Sequence, residues 1–247
     1  MGEMVASKQK PWIVGSISTE GGLARVHRKA AGALNVHWIE VRLDHLLAKG
    51  VRFERVKRAC QEAQAPILLT ARSQKEGGAW AWKPSERAEM IHSLLPYVAA
   101  IDLELNEIRT FQPILKHAIR LKRTIILSTH FLNRSFAAKE KRLWQRRLAT
   151  FHMACPCPKS RIIYKVAARC DRLDQLRQLA RLILQQAEWY PKRRIAVMGI
   201  GKLAQKSRLV LAAFGSELVY GYLDEPIAPG QPYAPDLARS LPLFFLK

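Results

Sequence analysis

The chain has 247 residues, of which 49% are hydrophobic and 25% charged; that is enough apolar material for one sizeable core. No stretch reaches the roughly 18 uninterrupted apolar residues of a membrane span, and the basic start, Met1–Lys10, has no secretory apolar run behind it. A cytoplasmic protein is therefore expected, with a short basic tail over residues 1–10 and one domain over 11–247. The formal net charge of +21 raises the question of nucleic-acid binding. Lys and Arg, however, are scattered over Arg25–Lys29, Arg52–Arg58, Lys139–Arg147 and Lys192–Arg194, with no single basic tail and no nucleic-acid module. Nucleic acid is not expected as the main partner.

Eight short β-branched, apolar runs occur in order: Pro11–Ser16, Trp38–Leu43, Ile67–Arg72, Ala99–Glu104, Thr124–Ser128, Ile162–Ala167, Ile195–Met198 and Leu218–Tyr222. Several are continuously apolar rather than alternating, as buried parallel strands are. Helical spacing fills the segments between them. Pro84-Ser-Glu-Arg opens one helix with proline in its first turn, Phe111–Leu121 and Lys141–Phe151 form two more, and Leu173, Leu176, Leu179, Leu182 and Ile183 mark the apolar stripe of another. Eight strands alternating with helices, with no break in composition, predict a single-domain (β/α)8 TIM barrel. The competing open doubly wound sheet wants a G-x-G-x-x-G loop after the first strand, and Thr19-Glu-Gly-Gly-Leu lacks that spacing. Cys60, Cys155, Cys157 and Cys170 fit no common zinc pattern and are expected to be unpaired thiols.

In a barrel, chemistry belongs at the C-terminal ends of the strands, and the unusual polar residues fall there. Strand two ends in Glu40-Val-Arg42-Leu-Asp44, with charges at alternate positions. Strand three ends in Arg72 and leads into Glu76-Gly77-Gly78, strand four ends in Asp102-Leu-Glu104, and strand five in Ser128-Thr-His130. The carboxylate–arginine alternation also fits a structural ion-pair network, and a single histidine after a strand is more often structural than catalytic. Lys165, inside Ile162-Ile-Tyr-Lys-Val-Ala-Ala, is harder to place as a surface charge, because both faces of such a strand are costly for a bare cation. Desolvation and nearby cations favour the neutral, nucleophilic amine of a lysine, which makes a Schiff base one reading of this residue.

Taken together, Glu40-x-Arg42-x-Asp44, Arg72-x-x-Lys75-Glu76-Gly77-Gly78, Asp102-Leu-Glu104-Leu105, Ser128-Thr-His130, Lys165-Val-Ala, Met198-x-x-Gly201-Lys202 with Ser207-Arg208-Leu209, Phe214-Gly215-Ser216 and Ala228-Pro-Gly-Gln231 resemble the type I 3-dehydroquinate dehydratases, from strand two to the last loop. The resemblance implies dehydration of 3-dehydroquinate to 3-dehydroshikimate by syn elimination in the shikimate pathway. It implies an imine on Lys165, general acid–base catalysis by His130, and orientation of His130 by Glu76. It implies a carboxylate clamp by Arg208, substrate contacts from Glu40, Arg42 and Arg72, and closure by Gln231. No metal or organic cofactor is required on this reading; the partner is a small anionic substrate, and the assembly a homodimer. Two positions depart from the family pattern: Phe131 follows the histidine where an acidic or amide residue is usual, and Ile227 precedes Ala-Pro-Gly-Gln where a small polar residue is usual. The alternatives are another Schiff-base barrel lyase such as an aldolase, and a non-catalytic basic binding protein on the same fold.

Overall fold

The computed structural model describes residues 10–26, 34–155, 161–189 and 194–244; nearly all of the expected basic tail, and Cys157, lie outside them. Eight strands form one parallel sheet: β1 (Trp12–Ile17), β2 (Trp38–Arg42), β3 (Ile67–Thr70), β4 (Ala100–Glu104), β5 (Thr124–Phe131), β6 (Ile162–Arg169), β7 (Arg194–Ile200) and β8 (Leu218–Tyr222). The helices are α1 (Glu20–Val26), α2 (Leu43–Ala48), α3 (Phe53–Gln61), α4 (Pro84–Leu94), α5 (Gln112–Arg120), α6 (Ala138–Ala154), α7 (Leu173–Trp189), α8 (Ala204–Ala213) and α9 (Ala234–Ser240).

The strand ladder runs from β7 through β6, β5, β4, β3 and β2 to β1, and then to β8, which leaves β7 and β8 to close the ring. They meet without a regular ladder. Glu217 N donates to Ile195 O at 2.8 Å, and Val197 N donates to Ser216 Oγ at 2.9 Å, whose own proton is within reach of the Val197 and Leu218 carbonyls. Ser216 thus stitches the last two strands together where backbone pairing stops. The open doubly wound alternative is excluded, and the sheet is a (β/α)8 barrel.

The two faces of each strand follow from the period of two. Facing outward, Ile39, Val41, Ile101, Leu103, Ile125, Leu127, Val166 and Val197 pack with helix residues such as Leu46, Val56, Leu94, Leu115, Trp144, Leu179 and Leu211. Inward, Val14, Trp38, Leu68, Ala100, Ile126, Ile163 and Leu218 form an apolar plug. Two residues further along, the same face turns polar on six of these strands, at Ser16, Glu40, Thr70, Asp102, Ser128 and Lys165, and carries Tyr220 on β8. The plug closes the barrel below, and the polar layer is the floor of its mouth.

Two expectations are corrected. Strand two stops at Arg42, so Asp44 lies in α2 and not on the strand. Cys155, which leaves α6 in an extended conformation (φ −134°, ψ 109°), is disulfide-bonded to a partner outside the described residues, whereas Cys60 and Cys170 are free and buried. Among the described residues no helix is long and apolar enough to cross a membrane.

Candidate active site

A cavity of about 310 Å³ opens at the C-terminal end of the barrel, and all eight site residues expected from the sequence line it: Glu40, Arg42, Arg72, Glu76, His130, Lys165, Arg208 and Gln231. Ser16, Met198, Tyr220 and Ile227 complete much of the wall.

Lys165 reaches the inner face from the middle of β6, where Ser128 and Ala196 are its register neighbours. It is 4% exposed. Its Nζ lies 3.0 Å from Asp102 Oδ2 and 4.2 Å over the centre of the Tyr220 ring, a cation–π distance. Arg72 Nη2 meets the same Asp102 oxygen at 2.9 Å, and its Nη1 contacts Glu104 Oε1 at 3.2 Å and Ser128 Oγ at 2.8 Å. Ser128 donates in turn to Asp102 Oδ1 at 2.5 Å. Burial opposes a charge on Asp102, but Arg72 and Lys165 outweigh it and hold the carboxyl far below the usual carboxylate range. Arg87 extends the chain of charges outward, with Nη2 3.0 Å from Glu104 Oε1.

His130 lies within β5, with Glu76 beside it. Glu76 arrives on a 3₁₀ turn, Gln74–Glu76, that ends at Gly77 with φ +88°. The next residue, Gly78, folds back to donate to Ser73 O at 2.8 Å, and a Cβ there would stand 2.0 Å from Arg72 O. The Glu-Gly-Gly sequence is thus what the turn demands. Glu76 Oε2 lies 2.8 Å from His130 Nδ1 and accepts from His130 N at 3.0 Å, and Asn106 donates to Oε1 at 2.5 Å. Burial raises the Glu76 carboxyl to about 7, against the pull of Arg72. Burial, Arg72 and Lys165 push the His130 imidazole well below its ordinary value. The imidazole is therefore neutral at pH 7, as a proton acceptor must be.

Arg208 is placed by a close approach of α8 to β7. A side chain at Gly199 would collide with Cys170 and Ser207; without one, Ser207 Oγ accepts from Gly199 N at 3.1 Å and donates to Ala204 O at 2.7 Å. The neighbouring Arg208 then bonds the carbonyls of Tyr220, Ala204 and Gly199 at 2.8, 2.7 and 3.3 Å. It is buried, and burial pulls its guanidinium down to about 10. Among the described residues no carboxylate pairs with it, which sets it apart from the other two arginines on the wall. Arg42 is held by both oxygens of Asp44, at 3.0 and 2.8 Å, and Arg72 by Asp102 and Glu104.

Glu40 accepts from Ser16 Oγ at 2.5 Å and Thr70 Oγ1 at 2.8 Å. Gln231 sits on the loop after β8, where its Oε1 accepts from Ile227 N at 2.9 Å, so it braces its own loop while facing the cavity. Phe131 turns away from the cavity into the helix-facing layer, its ring edge-on to Phe136 at 5.6 Å. Sequence reasoning noticed Asp102 and Ser128 as polar strand ends but gave them no part. Asn106 and Tyr220 were missed; Tyr220 Oη is buried with no bonding partner among the described residues. Among the described residues no group of three or more His, Cys, Asp or Glu side chains is placed to hold a metal ion.

Comparison with known proteins agrees with this fold. The family described as type I 3-dehydroquinase matches residues 11–246. The 3-dehydroquinate dehydratase of Methanocella arvoryzae is 27% identical over 237 residues, covering 96% of this chain and 98% of its own length. That of Methanosarcina barkeri is 27% identical over 228 residues, covering 88% and 89%. The fold of the Geobacillus kaustophilus 3-dehydroquinate dehydratase superposes with a TM-score of 0.79 at 20% identity, covering 95% of this chain and 91% of that one. From its first strand to its last helix, the chain belongs to the type I 3-dehydroquinase family.

Proposed function

We propose that this chain dehydrates 3-dehydroquinate to 3-dehydroshikimate through an imine on Lys165. The observation that carries the reading is the convergence of three groups on one cavity: the Lys165 amine, the neutral His130 ring and an Arg208 guanidinium with no protein counter-ion. Each answers to one part of the substrate. The arginine fork pairs with the carboxylate, the amine adds to the ketone, and the imidazole serves the neighbouring C–H and C–OH.

Lys165 passes its ammonium proton to His130 and adds as the free amine to the ketone carbon; the resulting carbinolamine loses its hydroxyl as water with that proton, giving an iminium and restoring neutral His130. Nε2 of His130 takes a proton from the adjacent carbon, and the electron pair moves into the iminium to give an enamine. The enamine then expels the β-hydroxyl, which leaves as water with the proton that His130 carries, on the same face. Hydrolysis of the conjugated iminium frees the product and the lysine, so the net change is loss of one water. Asp102 holds Lys165 and Arg72 in register, and Glu76 fixes the ring of His130. Glu40 and Arg42 meet ring hydroxyls, Tyr220 Oη offers a further hydrogen bond, and the Gln231 loop closes the mouth. Homodimeric assembly and a cytoplasmic location accompany this reading as family expectations.

Purified protein mixed with 3-dehydroquinate should produce the ultraviolet absorbance of a conjugated enone. Borohydride added during turnover should leave a reduced adduct on the Lys165 peptide. Turnover with an adduct elsewhere, or with none, would overturn the role of Lys165; absence of any enone would overturn the substrate.

A further inference from the structure

The small anion of the proposed reaction accounts for the arginines at the barrel mouth, but not for a net charge of +21. Six of the remaining cations lie exposed on three consecutive helices. On the outer flank of the barrel, α5 exposes Lys116 and Arg120, α6 exposes Arg142 and Arg146, and α7 exposes Arg177 and Arg181. These are three i,i+4 pairs of like charge on three consecutive helices. None of the six forms an ion pair among the described residues. Like charges at this spacing destabilise a helix, so each pair carries a cost that an ordinary solvated face avoids.

Acidic residues do not offset them. Among the side chains described, α5 has none, α6 has Glu140, which is buried, and α7 has Asp174, which is engaged with Arg172 at 2.9 Å; Glu188, in the last turn of α7, lies seven residues beyond Arg181. The opposite arrangement occurs on α3, where Arg58 pairs with Glu62 at 3.3 Å and Arg55 with Glu20 at 2.8 Å. In sequence the six cations are dispersed; in the fold they lie on the three helices that follow β4, β5 and β6, strands that are neighbours in the barrel.

We propose that the α5–α6–α7 flank binds the sugar–phosphate backbone of a nucleic-acid duplex without reading its sequence. A duplex presents phosphates at a regular rise along both strands, so cation rows on successive helices can meet several of them at once. Within a row, i,i+4 residues are about 6 Å apart along the axis. The exposed large hydrophobics on these helices are Met153, near the end of α6, and Leu173, at the start of α7. Among the described side chains, the rows thus carry no exposed aromatic ring to stack on unpaired bases and no apolar stripe to enter a lipid surface. Phosphates on a rigid duplex are the ligand these cations fit.

The test is fluorescence anisotropy with a labelled 20-base-pair duplex of random sequence, as DNA and as RNA, from 50 to 300 mM salt. Six phosphate contacts predict that log K falls with log salt at a slope near −5. Each double reversal (Lys116→Glu/Arg120→Glu, Arg142→Glu/Arg146→Glu, Arg177→Glu/Arg181→Glu) should weaken binding at least 10-fold at 100 mM salt and reduce the slope by about 2. Arg52→Glu/Lys206→Glu, the same change in net charge at exposed positions elsewhere, should stay within two-fold of wild type. Thermal melting confirms that each variant is folded, and the corresponding Gln variants replace any that is not. Binding of either duplex supports the proposal, and the tighter one names its source. It is overturned by no saturable binding at 50 mM salt, by a control as weak as the flank variants, or by anionic phosphatidylserine vesicles that bind more tightly than both duplexes.

Discussion

His130 Nδ1 stands 2.8 Å from Glu76 Oε2, the oxygen that also accepts the backbone N–H of His130 at 3.0 Å. One carboxylate oxygen thus holds both the ring and the strand that carries it, and this decides which nitrogen can act. An ionised Glu76 accepts Nδ1–H and leaves the Nε2 lone pair for the substrate; a protonated Glu76 donates to Nδ1 and places the hydrogen on Nε2. With Glu76 raised to about 7, kcat should climb with pH through that region as the productive tautomer forms. His130→Ala should lower kcat on the order of 10²–10⁴-fold, and Glu76→Gln by less, with the limb near pH 7 gone. A Glu76→Gln variant that keeps this limb would assign it to another group.

The same carboxyl sets a stability dependence. Because its folded value, about 7, lies above the ordinary 4.5, the folded state holds a proton that the unfolded chain releases. The contribution is complete below about pH 4.5 and is lost as pH rises through 7, in total roughly 3 kcal/mol. His130 works in the other direction: its lowered value removes stability as pH falls below about 6.5. Glu76→Gln deletes only the first effect. Its melting temperature relative to wild type should therefore become more favourable between pH 5 and pH 8. A difference that stays flat or reverses would show that Glu76 is ionised in the folded state throughout this range.

Asp102 is the anion between two buried cations, 3.0 Å from Lys165 and 2.9 Å from Arg72. Asp102→Asn keeps the shape and removes the charge, leaving Lys165 without its counter-ion and Arg72 with Glu104 alone. Breaking such a buried arrangement costs about 3–5 kcal/mol, which urea unfolding should register, and trapping of the imine should slow. Unfolding at the wild-type urea concentration would mean that the two cations do not depend on this carboxylate.

Arg208 has its hydrogen bonds to Tyr220, Ala204 and Gly199 carbonyls and no anionic partner among the described residues. A carboxylate ligand supplies the missing charge, and hydrogen bonds between charged groups contribute about 1.5–3 kcal/mol each. Arg208→Ala should lower kcat/KM by roughly 10²-fold or more, chiefly through KM. Arg208→Lys should recover little, because an ammonium reproduces neither the fork nor the bonds to three carbonyls. Full recovery with lysine would reduce the residue to a long-range charge.

The sequence made the barrel readable because each strand is a short apolar run and each polar end keeps the period of two. Glu40, Lys165 and His130 could be placed on that basis. Asp102 was visible as a strand end, yet its importance arises only where β3, β4 and β6 converge, bringing Arg72 and Lys165 onto one oxygen. Asn106 lies beyond β4, on a turn with no periodicity of its own, and its partner Glu76 is 30 residues away. The role of Ser216 was hidden for the same reason, since it acts across the β7–β8 seam. Asp44 was misplaced because alternation seemed to continue past Arg42, where the chain instead enters α2 at once.

Phe131 is one of the two positions, with Ile227, at which the sequence reading expects a departure from the family pattern, and its surroundings account for the phenyl ring. The residue pairs in register with Ala168 and points opposite to His130, so its ring packs edge-on against Phe136, which packs in turn against the fully buried Trp144 of α6. An aromatic cluster therefore secures the end of β5, and His130 keeps its place beside Glu76. Phe131→Ala would open a cavity between β5 and α6 and should lower stability by about 3–5 kcal/mol, while the borohydride adduct stays on Lys165 and the pH profile keeps its shape. Phe131→Asp would bury a carboxylate among Phe136 and Trp144, with a larger stability loss and no gain in turnover. If Phe131→Asp instead raised turnover 10-fold or more at unchanged stability, Phe131 would be a defect in the site rather than the packing that holds it.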